Sequence, residues 1–580
     1  MGQRHISDHL RLIGLAVREG VAGGLARLRR PWRRMRWRMQ PRFTRLELAP
    51  EDLRRADSLR AADLMDSIFD FAGVAVDCSG RSPFAVVPPS PEWERELNAF
   101  AWLRDLSAAD PDAAPERARV LLAEWTRYGA TRPIAQASAV TARRLTALVR
   151  DAPLMLARAT ASQHDRLLAV IEDDARRLAE RLGEGRLDAE RVVRAATVAE
   201  TILAIAADRD RAHPYLAALD RDLALLVLSD GTTADRNPAT LVALLAALLP
   251  LRQILAERGV AASRTLMGAL DRMMPMLRFF RHSDGALALF NGAGPVDPEL
   301  VAAIFLLDDS RARPPGQAHY GGYQRLEAGR TVLLVDTGGP PPPALSARHH
   351  AAPLALELSS GRNRLVVSTG SGADVDPAWR VITRETAAHS TVTVAETSIA
   401  DMLGDGALGR RLGPLIASPP WSVTVARHEH QGMSAVVAAH DGYLARFGLM
   451  HERTLRLSPR GDRLDGRDRL FAPARRRPAR AEAALRFHAH PDVKLIRLES
   501  GAVQLLAGDG EAWEFHVRGG EARIEPSIFL GDPGPPRQND QIVVDAPAPG
   551  ELRWVFLRSA EPRALRRGPL AAPEPTPLLT

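Results

Sequence analysis

Cysteine is nearly missing from this chain: Cys78 stands alone among 580 residues, so neither an intramolecular disulfide nor a thiolate metal cluster can form. That usage fits a reducing compartment and is compatible with the periplasm. Aromatic residues make up 5% of the chain, with five tyrosines in all, so a tyrosine beside a candidate site stands out. No segment offers the roughly 20 consecutive apolar residues that span a bilayer. The N-terminus carries no clean export signal, because Ile6, Leu10, Leu12, Ile13, Leu15 and Val17 are interrupted by His9, Arg11, Arg18 and Glu19 and no cleavage site follows. A P-loop, a GxGxxG set between strand and helix, and an HExxH are all lacking. The GSG at 370–372 lacks the strand-to-helix setting of a nucleophile elbow. Acidic residues are plentiful, but sequence gives no pair separation from which to argue glycoside hydrolysis.

What is present is a chain too long for one core, so two large domains are expected. Hydrophobic content of 46% and charged content of 25% are those of a globular protein. The net charge of +7 is carried almost entirely by arginine and concentrated at the front. Residues 27–38 hold seven arginines, with Trp32 and Trp37 interleaved. Residues 1–43 therefore read as a basic arm, which is either simply solvated, laid on an anionic membrane or bound to nucleic acid. No nucleic-acid motif accompanies it, so a specific nucleic-acid partner is not expected.

From about 44 to 300 the period is helical. Leu216, Leu219, Leu223 and Leu226 share one face, as do Leu266, Leu270, Met273, Leu277 and Phe280. Asn237 followed by Pro238 reads as a helix cap and first turn, with a kink expected at Pro250 and an end at Gly259. Successive amphipathic helices imply a bundle or a toroid, and spacing alone does not choose. After a junction rich in glycine and proline the period becomes two. Thr331–Asp336, Leu354 to Leu358, Leu365 to Val367, and the runs near 391, 423, 436, 485, 503 and 513 read as an antiparallel β-sandwich over 320–565. A proline-rich tail, 566–580, follows.

The stretches GYQRLEAGRTVLLVDTG at 322–338, LALELSSGRNRLVVSTG at 354–370, AAHSTVTVAETS at 387–398, HDGYLARFGLMHERTLRL at 440–457 and FHAHPDV at 487–493 resemble the C-terminal domain of the heparinase II/III family. FDFAGVAVDCSGRSPF at 69–84 and DGTTADRNP at 230–238 are similar to its shorter bacterial members. The resemblance implies an α/α-toroid followed by a β-sandwich, with an acidic polysaccharide in the cleft between them. It implies a carbon–oxygen lyase that cleaves a uronate polymer by β-elimination. It also implies the cell envelope or periplasm, with the cytoplasm as the alternative given the N-terminus.

Such a reaction needs a partner for the uronate carboxylate, a base at C5 and a donor for the leaving oxygen. By resemblance, Arg236 and Asn237 match substrate-binding positions, and an arginine suits a carboxylate. His350 is the leading catalytic candidate, with Tyr320 and Tyr323, beside the domain junction, as candidate proton donors. His350 and His389 also match zinc ligands of metal-containing relatives. The matching departs from the family in three places: Thr233 stands where a tyrosine or histidine base is expected, Ser368 where an aspartate ligand is expected, and Arg348 where a paired histidine is expected. His319 shares the Tyr320–Tyr323 segment and is open to either packing or a site role, whereas His440, Tyr443, Arg446, His488 and His490 read as framework residues. A non-catalytic carbohydrate-binding relative is the rival reading.

Overall fold

Helix starts in the first half are set by capping side chains, which supply acceptors for otherwise orphaned backbone N–H groups. Asn237 accepts from the Ala239 N–H at 2.9 Å, and the helix Pro238–Glu257 runs on through Pro250 before Gly259, at φ 61°, ends it. Thr160 and Gln163 form a reciprocal capping box ahead of Ala161–Glu180. Asp208, Ser263 and Asp297 open Arg209–Leu226, Arg264–Phe279 and Pro298–Leu306. The apolar stripes bury Leu219, Leu223, Leu226, Leu270, Met273 and Leu277 in one core with Trp93 and Trp125. Pro238–Glu257 is long and apolar enough to cross a membrane by composition, yet its leucines are central to that core. The structure, a computed structural model, describes residues 2–559 apart from 206–207, 309–312, 373–376, 419 and 475. The tail expected at 566–580 lies outside the described residues.

The second half is two antiparallel sheets. One has eight strands, in the order Val493–Arg497, Val503–Ala507, Ala512–Arg518, Gly550–Ser559, Arg463–Phe471, Met450–Leu457, Met433–His440, Val423–His430. The other runs Glu521–Phe529, Arg537–Ala548, Ala481–Ala489, Asn363–Val367, Leu356–Ser360, Thr331–Asp336, Tyr323–Ala328, Gln317–Ala318, with Val392–Val394 paired to Ala481–Ala489. Strand alternation splits the second sheet's faces. Leu326, Leu333, Val335, Leu356 and Leu358 enter the sandwich core with Trp513 and Trp554, whereas Tyr323, Val332 and Leu334 join the helical core. Thr331–Asp336 is accordingly buried along its whole length. That shared strand fixes the helical half against the sandwich.

The basic arm is not a solvated extension. It forms two helices in series, α1 (Gly2–Leu28) and α2 (Arg30–Arg38). Leu12 and Leu15 pack on Leu412 and Leu415 of the β half. Glu19 pairs with Arg186, and Arg34 with Glu180, both of the helical half.

Candidate functional site

The loop between Leu228 and Pro238 brings the first group of candidates to the domain junction. Asp235 organises it: its carboxylate accepts from the Thr233 hydroxyl at 2.6 Å, the Thr240 hydroxyl at 2.6 Å and the Asn237 N–H at 3.2 Å. Burial pushes the Asp235 carboxyl up. Thr233, at the family's base position, therefore stitches its own loop. Asn237, expected to touch substrate, is a helix cap. That is a correction, and capping accounts for the residue fully.

Arg236 sits in the left-handed region, φ 61°, and its guanidinium enters the junction rather than an open cleft. It donates to the carbonyls of Gly321 (2.7 Å), Gly339 (2.8 Å) and Gly322 (3.2 Å) and pairs with Asp336. It also lies 4.7 Å over the Tyr323 ring. A Cβ on Gly338 would come within 2.3 Å of the guanidinium, so glycine is required for the approach. The expected carboxylate grip is corrected to an internal clasp: Arg236 is 6% exposed, and its donors are already satisfied by the β half. Asp230 adds a second clasp, accepting from the Tyr320 and Gly321 N–H groups at 2.7 and 2.9 Å.

The tyrosines separate. Tyr323 is buried; its hydroxyl donates to the Arg236 carbonyl and accepts from Asn291 Nδ2 at 2.6 Å. Burial drives its pKa far above the ordinary phenol value. Its expected role as proton donor is corrected to one of packing and bracing. Tyr320 points outward, 63% exposed. Sequence reading missed Asn291, which links Tyr323, Asp336 (2.8 Å) and His350. Its only signal was asparagine before Gly292, the pattern of a left-handed turn, and its φ is 54°.

His350 and His389 do come together, with ring centroids 4.4 Å apart and planes inclined 31°. His349, His350, Ser368 and His389 are all at most 2% exposed. Burial first holds both His349 and His350 neutral, followed by the Arg236 charge for His349 and the His389 imidazole for His350, and His389 is pushed down to about 3. His350 faces the N–H groups of Asn291 (3.1 Å, at Nδ1) and Gly292 (2.8 Å, at Nε2), although a neutral imidazole accepts at one nitrogen only. His389 Nε2 faces the Thr383 carbonyl at 3.0 Å, and its Nδ1 has no partner. The Ser368 hydroxyl is likewise without a partner.

Zinc needs three or four ligand atoms converging on one point. Here two imidazoles meet at a tilt, one of them committed to backbone N–H groups, and serine replaces the carboxylate. Among the described residues no group of three or more His, Cys, Asp or Glu side chains is placed to hold a metal. The donor set does not fit zinc, which corrects the assignment of His350 and His389 as ligands. Glu357, a buried carboxylate nearby, is occupied by His282 (2.9 Å) and by the Leu289 and Ser368 N–H groups.

Comparison with known proteins agrees with this architecture. Residues 310–563 match the model of the heparinase II/III-like C-terminal family. The chain is 31% identical over 533 residues to FtsZ-localized protein C of Caulobacter vibrioides, covering 90% of this chain and 91% of that one. Among solved structures it is similar to heparinase III (TM-score 0.67, 12% identity, 92% of this chain and 89% of that one). It is also similar to a mutant of the heparan sulfate lyase HepC from Pedobacter heparinus (TM-score 0.59, 14% identity, 93% and 88%). The fold is thus a helical toroid followed by a β-sandwich, and the chain belongs to the heparinase II/III family.

Proposed function

We propose that this chain is a non-catalytic member of its family that works as an adaptor on an anionic membrane surface, in the cytoplasm and beside FtsZ. One observation carries the membrane part. Leu10, Ile13, Val17, Val21, Leu25, Leu28, Trp32, Met35 and Met39 are each 43–77% exposed. At about 100° per residue they fall within roughly 60° of a single line along α1 and α2. The opposite side, carrying Leu12, Leu15, Ala26 and Trp37, is the one buried in the protein. Arginines border the exposed line, Arg11, Arg18, Arg29 and Arg36 on one flank and Arg27 and Arg38 on the other, and Glu19 is the one acid between residues 10 and 40. Apolar residues inserted below a cationic rim are how a helix lies in an anionic interface.

The magnitudes favour binding. Half-burying each of nine large apolar side chains is worth about 1 kcal/mol apiece, and each arginine near an anionic surface adds about 1 kcal/mol. The helices are already folded against the body, so no ordering cost is subtracted. The FtsZ part is supported by the name of the Caulobacter relative. The non-catalytic part is supported by the burial of His350 and His389 and by the closure of Arg236 onto Asp336. A uronate lyase is the second reading. It is favoured by the shared fold and by the neutral, unpartnered Nδ1 of His389, which is a competent acceptor for a proton.

Vesicle co-sedimentation tests the membrane reading. The protein is expected to sediment with vesicles containing phosphatidylglycerol and to remain in the supernatant with Val17→Asp/Leu25→Asp, a pair exposed enough to spare the fold. Undiminished sedimentation of that variant would overturn the proposal.

A further inference from the structure

Beside the exposed stripe lies a cavity of about 520 Å³ between α2 and the helix Arg209–Leu226, whose walls include Arg29, Arg33, Arg36, Arg211 and Arg221 and no acidic side chain. None of these five arginines makes an ion pair among the described residues. Arg211 is decisive. It is 7% exposed; its guanidinium donates once, to the Pro41 carbonyl at 2.9 Å, and leaves Nε and Nη2 without partners. Its guanidinium lies 4.5 Å from the Trp37 ring and 4.7 Å from Phe43. Those faces favour a cation but offer no acceptor in its plane. The Trp37 indole N–H is buried without a partner as well. Glu172 and Asp208 favour the Arg211 charge without bonding to the guanidinium; a buried cation lacking a bonded anion is costly, and guanidinium forks match the paired oxygens of a phosphate.

We infer that this cavity binds the phosphodiester headgroup of an anionic phospholipid. The identification rests on the membrane reading, through Trp32. That residue belongs to the exposed stripe and also lines the cavity, so a lipid with its acyl chains along the stripe has its phosphate at the cavity mouth. Tyr215, whose phenol burial pushes up to about 12, adds a neutral donor to the same wall.

The test uses the full chain with four probes: phosphatidylcholine vesicles, the same vesicles with phosphatidylglycerol, soluble glycerophosphoglycerol and inorganic phosphate. Vesicles are read by co-sedimentation and the soluble probes by tryptophan fluorescence. Two pocket variants, Arg211→Gln/Arg221→Gln and the surface-only Arg36→Gln/Arg221→Gln, are compared with Arg27→Gln/Arg38→Gln, which removes equal charge outside the cavity. The outside pair is expected to weaken binding to phosphatidylglycerol vesicles about fivefold per arginine. The pocket pairs are expected to lose roughly tenfold more, as charged hydrogen bonds go, and to lose the response to glycerophosphoglycerol. Equal losses in pocket and outside pairs would overturn the pocket while leaving the membrane reading intact. Retained sedimentation of Val17→Asp/Leu25→Asp would sink that reading first. Inorganic phosphate binding as tightly as glycerophosphoglycerol, or displacement of the headgroup by an acidic peptide at lower concentration, would reassign the cavity to a different anion.

Discussion

Replacing Arg236 by methionine keeps the length of the side chain and removes its charge. In the native protein the guanidinium satisfies three glycine carbonyls and the Asp336 carboxylate. After substitution Asp336, a group only 4% exposed, retains Asn291 Nδ2 at 2.8 Å and the Gly338 N–H at 3.1 Å but has no countercharge. Removing one partner of a buried pair typically costs about 3–5 kcal/mol, which for domains of this size lowers a melting midpoint by on the order of 10 °C. Two domains need not melt together, so differential scanning calorimetry should follow each transition. Adding Asp336→Asn removes the stranded charge and is expected to recover more than about 1 kcal/mol, the coupling of residues in contact. A residue held out to grip substrate would behave differently, since exposed positions change stability by only about 0.5 kcal/mol. A melting curve for Arg236→Met that overlays the wild type would refute the clasp and return Arg236 to the substrate.

Acid should loosen the β half. His389 and His488 are held neutral, at about 3 and about 4, below the unfolded value near 6.5. The unfolded chain therefore binds more protons below that value, and stability falls as pH drops from about 6.5 toward 3. At pH 5 each histidine accounts for about 2 kcal/mol, so the urea midpoint should fall between pH 7 and pH 5, and less so in His488→Gln; a flat profile would contradict the burial. A panel of uronate polymers is expected to give no ultraviolet-absorbing unsaturated product; its appearance, abolished by His350→Ala, would establish the lyase reading. Metal analysis of protein purified without chelator should find zinc well below one per chain, and a stoichiometric ion would show that another donor completes the His350–His389 pair.

Much of the fold was readable because burial and period coincide. Thr331–Asp336 and the Asn237–Pro238 helix start were placed to the residue, since a fully buried strand and a capped helix both leave local signals. Arg463–Phe471 was not read as a strand, because its inward positions, Leu464, Gly466, Asp468 and Leu470, include a glycine and an aspartate in place of apolar residues. Asp468 is held by Arg453, His451 and the Trp554 indole, partners 15 to 86 residues distant that no local window joins. Gly466 is there because the Trp554 ring leaves no space for a Cβ. The site was legible as a set of family positions but not as chemistry. Sequence matching located His350, His389 and Arg236, yet only packing reveals that the first two sit ring to ring in the buried interior and the third closes on Asp336. The exposed stripe could have been found from helical spacing alone; the arginines interrupting it hid it from a search for continuous apolar runs.

Because α1 touches Leu412 and Leu415 in one half and Arg186 in the other, the arm is no leash on which the body swings. It is an outrigger lashed to both hulls. Were the arm to lie on a membrane as proposed, the surface beneath it would set the tilt and roll of the body, and the same region of the sandwich would face away from the lipid. Any partner recognised there would meet it at one height and in one orientation, and a hinge between the halves could not open without lifting part of the arm off the surface.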